Sequence, residues 1–362
     1  MYNKVIKIKG EDFMNKKYEI TNITMVFEGR TLYRIIALKN FSDVKAGELG
    51  GWVSNGYNLS QYGDCWIYNE AKCMDGASMY NNSCMYDYSE MYDNAIMYDN
   101  SMMFGHSRMF NNSEMHDFSE MRDNSVMYNN TEMHDYSQMH DDSRMYDSSK
   151  MFNKSRMFNN SVMFSNAKMY DFSEMNDNST MYGNSEKHDN SSMSDYSVME
   201  GNSKTYGNSK MYDNSKMYDC SKMYDNTEMH DYSEIYGDSE MHGHSEMHDC
   251  SKMYNNSKMY DYSIMRGHSA MYEDSEMHDK EVLYGELVSK VDDFVEISIP
   301  KGRIITGVLK DKKILYNIGC QSEITKETFI KRIYNEGGGI EKNPHRKSYL
   351  KIIDIIEAYF SK

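Results

Sequence analysis

Four side chains near residue 250 have the types and spacing to hold a metal ion. His230 and His248 are 18 residues apart, as are Cys250 and His268; if 18 residues complete one turn of a coil, His248 and Cys250 straddle one of its corners. Imidazole and thiolate together suit zinc or copper. The spacing also follows from a repeat that runs through this part of the chain, so four surface residues collected by periodicity is the competing reading. A second set, Asp177, Asp195, Asp213, Asp231 and Asp249, recurs at the same interval. Carboxylates stacked about 4.8 Å apart could line up calcium ions, or could be turn residues bonding to their own backbone. Like charges at that separation repel in water by somewhat under ~1 kcal/mol per neighbouring pair, which a surface tolerates. The expected cofactor content is none, with zinc and calcium as the alternatives at these two places.

General acid–base chemistry finds no address. His116, His134, His140, His188, His230, His242, His248 and His278 all occupy one repeat position where Tyr and Phe substitute freely. A catalytic base needs a fixed partner, so no catalytic residue is assigned and a non-enzyme is expected. The 36 Met invite soft-metal or oxidant-scavenging chemistry, but packing of a narrow core explains them more simply.

The element that must position these residues is a six-residue repeat. From Ile67 to Val282 the chain reads as 36 hexads of the form M-Y-D-N-S-x without insertion or deletion. Met fills the first position in 31 hexads, and Ser, Thr or Ala the fifth in 35, with Glu281 breaking the rule. The second position is Tyr, Phe or His in 30. A period of six matches neither an α-helix nor a coiled-coil heptad, whereas short strands joined by Asp, Asn or Gly turns fit it. The predicted fold class is an all-β solenoid, a parallel β-helix of about 13 coils with 18 residues per coil, three hexads forming a triangle. Positions one and five face inward, two and six outward. Aromatic or His residues at position four, such as Tyr88, His106, Phe118 and Tyr136, fall on two of the three sides only. Thirty-six hexads make 12 coils, on the order of 58 Å at the spacing of paired strands, and the register runs backward through LGGWVS, NGYNLS and QYGDCW.

A large residue at position one with a small one at position five resembles the hexapeptide pattern of left-handed β-helix proteins, and that resemblance alone implies the left hand. IIALKNFSDVKAGELGGWVSN (35–55) and LSQYGDCWIYNEAKC (59–73) resemble the opening of a family of uncharacterised bacterial hexapeptide-repeat transferases. The tail, with Ile318-Gly319-Cys320 leading into two helices, is similar to C-terminal modules of hexapeptide-repeat proteins of bacteria and phages. Relatives in that superfamily include trimeric acyltransferases, whose catalysis depends on loops interrupting the coils; this array has no interruption.

Three domains are expected: residues 1–48 as a β-rich cap, 49–282 as the hexad β-helix, and 283–362 as a small α+β cap or docking domain. YEITNITMVFEG and TLYRIIAL read as strands covering the first rung, which would otherwise be an unpaired edge. FVEISI, RIITGVL and KILYNIG read as strands, the latter two joined by a turn at Lys310-Asp311-Lys312-Lys313. Thr325 with Glu327 opens a helix, Gly337-Gly338-Gly339 ends it, and a second helix carries Tyr349, Ile352, Ile353, Ile356 and Phe360 on one face.

Net charge is −16 over 362 residues, yet it is uneven. Residues 1–48 and 283–362 are each +3, leaving −22 on 49–282. Direct nucleic-acid binding is disfavoured, because it needs a basic stripe. No apolar run approaches the roughly 18–20 residues of a membrane helix, no secretory h-region is present, and Cys65, Cys73, Cys84, Cys220, Cys250 and Cys320 lack paired spacing; a cytoplasmic protein of a bacterium or its phage is expected. The leading expectation is a non-catalytic scaffold presenting aromatic and acidic ladders for self-association, as trimer or filament, or for a protein partner. The alternatives are an acidic DNA mimic or ligand-sequestering protein of a phage or prophage, and a hexapeptide-type acyltransferase.

Overall fold

The structure, a computed structural model, describes residues 16–278, 282–284, 287–291, 294–298, 305–310, 313–318, 321–335 and 346–360. Glu281, Cys320, the glycines at 337–339 and the middle of the expected 310–313 turn lie outside the described residues. The chain divides into two compact units, Met1–Asn178 and Ser179–Lys362.

The first unit opens with the two strands expected near the N-terminus. β1 (Tyr18–Phe27) and β2 (Arg30–Ala37) pair antiparallel, with Phe27 opposite Arg30. Glu28 and Gly29 between them have φ of 47° and 77°, a two-residue turn whose twist matches the flanking strands. β2 pairs antiparallel with β3 (Leu49–Val53), and β3 pairs parallel with Lys72–Cys73. The hairpin therefore covers an edge that the first rung would otherwise leave open. Gly51 allows this join: a Cβ there would lie 2.3 Å from Ile67 Cγ2 and 2.5 Å from the Ala71 carbonyl oxygen.

Together with the rung ahead of Ile67, the hexads fold as a parallel β-solenoid of about 13 turns. Positions six and one form a two-residue strand, and each strand pairs in parallel with the strand 18 residues on. In the first unit Met103 lies opposite Met121, Met109 opposite Met127 and Met115 opposite Met133; in the second, Met199 lies opposite Met217, Thr205 opposite Met223 and Met211 opposite Met229. Those three series are the three sides. Position one is buried throughout, as are the Ser, Thr and Ala of position five, so the core is thioether packed against small side chains.

Position three explains why the repeat favours Asp, Asn and Gly. Every described residue at this position has positive φ, between 53° for Asn69 and 75° for Gly183, the left-handed region that other L-residues avoid. The bend lets Ser at position five donate its amide to the carbonyl of position two, as Ser83 does to Tyr80 at 3.2 Å. Amides at positions two, four and six donate to the next rung, as Tyr86 to Met103, Asn82 to Asp99 and Cys84 to Ser101. Regular pairing thus continues through the corners as well as the strands.

In the second unit the solenoid runs into a different kind of sheet. Ala270–Glu273 pairs in parallel with Leu287–Val291, which then pairs antiparallel with Phe294–Ser298, and that with Ile305–Lys310, Lys313–Ile318 and Gln321–Ile324 in succession. Three of these strands match expectation, and the first and last were not read from the sequence. α1 (Lys326–Asn335) starts where Thr325 Oγ1 accepts the Thr328 amide at 3.4 Å. α2 (Arg346–Phe360) buries Ile352, Ile353 and Ile356 against Val295, Ile305, Tyr316 and Phe329, and the Lys351 ammonium donates to the Val282 carbonyl. No helix among the described residues is long and apolar enough to cross a membrane.

Candidate functional site

Outward positions two and six build ladders. In the first unit Tyr80, Tyr98, His116, His134, Phe152 and Tyr170 stack in sequence at 4.7–5.5 Å between centroids. In the second, His188, Tyr206, Tyr224, His242, Tyr260 and His278 do the same at 4.6–5.1 Å. These rings are mostly half-buried by their neighbours, so the second position is less open than its outward direction suggests. Within the hexads most of the exposed rings are at position four: Tyr88, Phe118, Tyr136, Phe172, Tyr196, Tyr232 and Tyr262 are 45–60% exposed, against 40% for Tyr80 at position two, while Tyr57 and Tyr62 ahead of the first hexad are 90% and 85% exposed. The position-four rings occupy two corners. At the third corner carboxamides replace rings, with Asn94 donating to Asn112 at 3.3 Å and Asn112 to Asn130 at 3.2 Å.

Position six carries interleaved charge. Lys150 bonds Glu132 at 2.8 Å, Lys204 bonds Glu186 at 2.6 Å, and Lys222 bonds Glu240 at 3.0 Å. Burial opposes ionisation of these carboxyls, but the hydrogen bonds from the lysine and from the neighbouring His134, His188 or His242 outweigh it and hold Glu132, Glu186 and Glu240 below the usual range. Tyr182 shows the opposite balance: burial, then its bond to the Glu200 carboxylate, pushes its hydroxyl up to about 12.

The expected metal quartet is placed as follows. His230 and His248 stack face to face, 4.7 Å apart and 3° from parallel. Their Nε2 atoms turn to Glu228 at 3.2 Å and Glu246 at 2.8 Å. Stacked faces aim no lone pair between the rings. Cys250 is half-buried, its amide bonded to the Gly267 carbonyl, and His268 is exposed. Among the described residues no group of three or more His, Cys, Asp or Glu is placed to hold a metal ion.

The aspartate column has a structural use that spacing did not reveal. Asp213 Oδ2 accepts the Asp231 amide at 3.4 Å, Asp231 Oδ2 accepts the Asp249 amide at 3.1 Å, and Asp249 Oδ2 accepts the Gly267 amide at 2.8 Å. Asp177 and Asp195 share the positive φ, at 55° and 59°, and Asp195 accepts from the Ser194 hydroxyl. Each carboxylate of the bonded series thus satisfies the next rung's amide, not its own. The signal available in sequence was the excess of Asp over Asn and Gly at position three.

One constellation escaped sequence reasoning altogether. Lys17 is buried, its ammonium donating to the Cys65 carbonyl at 2.8 Å and the Gly63 carbonyl at 3.2 Å, beside Cys65 Sγ at 3.2 Å. Desolvation holds the Lys17 amine below its usual range and pushes the Cys65 thiol up. Next to it, Lys16, Lys39, Asn40, Phe41, Gln61, Tyr62, Gly63 and Asp64 line an open cavity of about 760 Å³.

No protein-family description matches the chain. Over 53 residues the chain is 43% identical to the Uncharacterized acetyltransferase YdcK of Escherichia coli (strain K12), covering 14% of this chain and 16% of that protein. The chain thus spans about a sixth of the length of this curated relative.

Proposed function

We propose that the protein is a non-catalytic structural or recognition scaffold, a solenoid whose aromatic and acidic ladders mediate self-association or capture a protein partner. The observation that supports this reading is the alignment of the exposed position-four rings of the hexads on two corners, while most rings at position two are stacked and many charges at position six are paired. Exposed apolar surface arranged in register usually marks a contact. The test is mass by light scattering together with class averages by cryo-electron microscopy. Assembly above the 42.5 kDa of one chain, lost in the triple variant Tyr196→Ser, Tyr232→Ser, Tyr262→Ser, is the expected outcome. A single chain at every concentration would remove self-association and leave partner capture, which then requires loss of the captured protein in the same variant.

A second reading, acyl transfer, draws on the similarity to the acetyltransferase-named relative. It predicts release of free thiol from acetyl-coenzyme A in the presence of an amine or hydroxyl acceptor; no release discards it. The acidic-mimic reading predicts salt-sensitive binding of a basic DNA-binding protein, and the lysines interleaved among the glutamates weigh against it.

A further inference from the structure

The backbone at Lys17 and the side chain of Tyr18, at the start of β1, are tied down by hydrogen bonds. The Lys17 amide donates to Gln61 Oε1 at 2.8 Å and its carbonyl accepts the Leu38 amide at 2.9 Å. Tyr18 adds its hydroxyl to the Leu59 carbonyl at 2.6 Å. The Lys17 side chain runs inward beside the Phe41 ring at 5.3 Å, and its ammonium ends 3.2 Å from Cys65 Sγ. Both residues are fully enclosed, at 1% and 0% exposure. Among the described residues the other hydrogen-bond partners of Cys65 Sγ are the carbonyl oxygens of Ser60, Tyr62 and Met79 at 3.6–3.7 Å; the Cys73 and Cys84 thiols are near enough to feel its charge, and Cys65 is not in a disulfide.

We propose that Lys17 and Cys65 are a modification site, an oxidative lysine–cysteine crosslink in which one oxygen atom bridges Nζ and Sγ and ties the start of the N-terminal hairpin to the first turn of the solenoid. The oxidant is dioxygen, and the step balances as R–NH₂ + R′–SH + O₂ → R–NH–O–S–R′ + H₂O. The N–O and O–S bonds form; the O–O, S–H and one N–H bond break. Sulfur and nitrogen each give up two electrons, and the four electrons reduce dioxygen to the bridging oxygen and one water.

Geometry favours this outcome over ordinary thiol oxidation. Among the described residues no second thiol hydrogen-bonds to Cys65, so the group that meets its sulfur as it is oxidised is the Lys17 nitrogen at 3.2 Å. Burial holds the Lys17 amine below its usual range, a shift in the direction of the neutral amine such a step requires. Dioxygen is small and uncharged, and Gly63, whose carbonyl bonds Lys17 Nζ, lines the open cavity, so the path from solvent is short. Larger or charged oxidants are excluded by the enclosure.

The experiment is intact-mass measurement of the full chain purified in air, with and without dithiothreitol, followed by peptide mapping. The expected result is a species about 14 Da heavier than the reduced chain, one oxygen gained and two hydrogens lost. It returns to the reduced mass with dithiothreitol and maps to a linked pair of peptides holding Lys17 and Cys65. Lys17→Arg keeps the charge and abolishes the species, while Cys220→Ser leaves it intact. Slower hydrogen exchange at the Tyr18 and Leu38 amides in the crosslinked form gives a readout that needs no variant. An unchanged mass after prolonged exposure to air, or an adduct of about 16 or 32 Da confined to Cys65, overturns the proposal.

Discussion

The hexad solenoid and the C-terminal sheet-and-helix region reach stability by opposite routes. In the solenoid each residue meets its own equivalents 18 positions away, so Met packs on Met, ring on ring and Asp on amide. In the C-terminal region Val295, Tyr316, Phe329 and Ile353 converge on one cluster from four different elements. The first design spreads each requirement over many rungs; the second concentrates it in a few side chains. A repeat can therefore vary its outward residues freely as long as the inward pattern and the left-handed corner persist, whereas the single cluster has no redundancy.

The sharpest test of that contrast is a core deletion in the non-redundant region. Ile356→Ala removes a fully buried side chain packed over Gly307, whose hypothetical Cβ would lie 2.2 Å from Ile356 Cγ2. The expected loss is about 3–4 kcal/mol, read as an earlier thermal transition of the helical signal while the β-sheet signal keeps its midpoint. One merged transition that shifts as a whole would show that the two regions melt together.

Next in size is the corner. Asp231→Val places a β-branched residue at φ 58° and deletes the acceptor of the Asp249 amide; about 2–3 kcal/mol is expected from strain and the lost charge-assisted bond. Asp231→Gly keeps the backbone and loses only the bond, so it costs about 1 kcal/mol. Equal losses in urea titrations of the two variants would show that φ is not what selects Asp, Asn and Gly.

What the sequence made legible follows this same division. The period, the inward Met and Ser and the three-sided coil were readable because every hexad votes on them. The left-handed corner was half-readable: Asp, Asn and Gly announced a turn, but the carboxylate's reach to the next rung appears only once rungs are stacked. Position two looked like the open aromatic face, yet stacking at 4.7–5.1 Å hides much of each ring and leaves position four more open. Lys17 against Cys65 was invisible, because it is a single contact across 48 residues with no repeat to reinforce it. In the C-terminal region the apolar strands and the Ile face of α2 could be read locally, while Leu287–Val291 and Gln321–Ile324 take their strand identity from partners that only the tertiary fold supplies.

A smaller effect separates paired from decorative charge. Glu132, Glu186 and Glu240 have folded-state pKa values depressed below the ordinary 4.5, so their contribution is fully present above that value. It is lost as pH falls below 4.5 and through the folded values. The melting temperature of the solenoid signal should therefore decline in that window, and Glu240→Gln should flatten the decline slightly, each partly exposed pair contributing at most about 1 kcal/mol. A solenoid signal insensitive to pH down to about 3 would mean that the charged ladder is stability-neutral, since carboxylates left unperturbed by folding contribute no pH dependence.

The smallest expected effect concerns His230, His248, Cys250 and His268, where periodicity suggested a zinc site. Binding zinc there would require His248 to release Glu246 at 2.8 Å and the ring pair to leave its parallel stack at 4.7 Å. It would also require the exposed His268 to meet the half-buried Cys250. Each step gives up a contact that the ladder repeats on other rungs, so ligand geometry works against the repeat and not with it. Calorimetric titration with Zn²⁺ should accordingly give the same affinity for the native chain and for His248→Ala plus Cys250→Ala. A loss of tenfold or more in the double variant, about 1.4 kcal/mol, would show instead that this part of the solenoid trades its stacking for coordination, and that periodic neighbours can become a site.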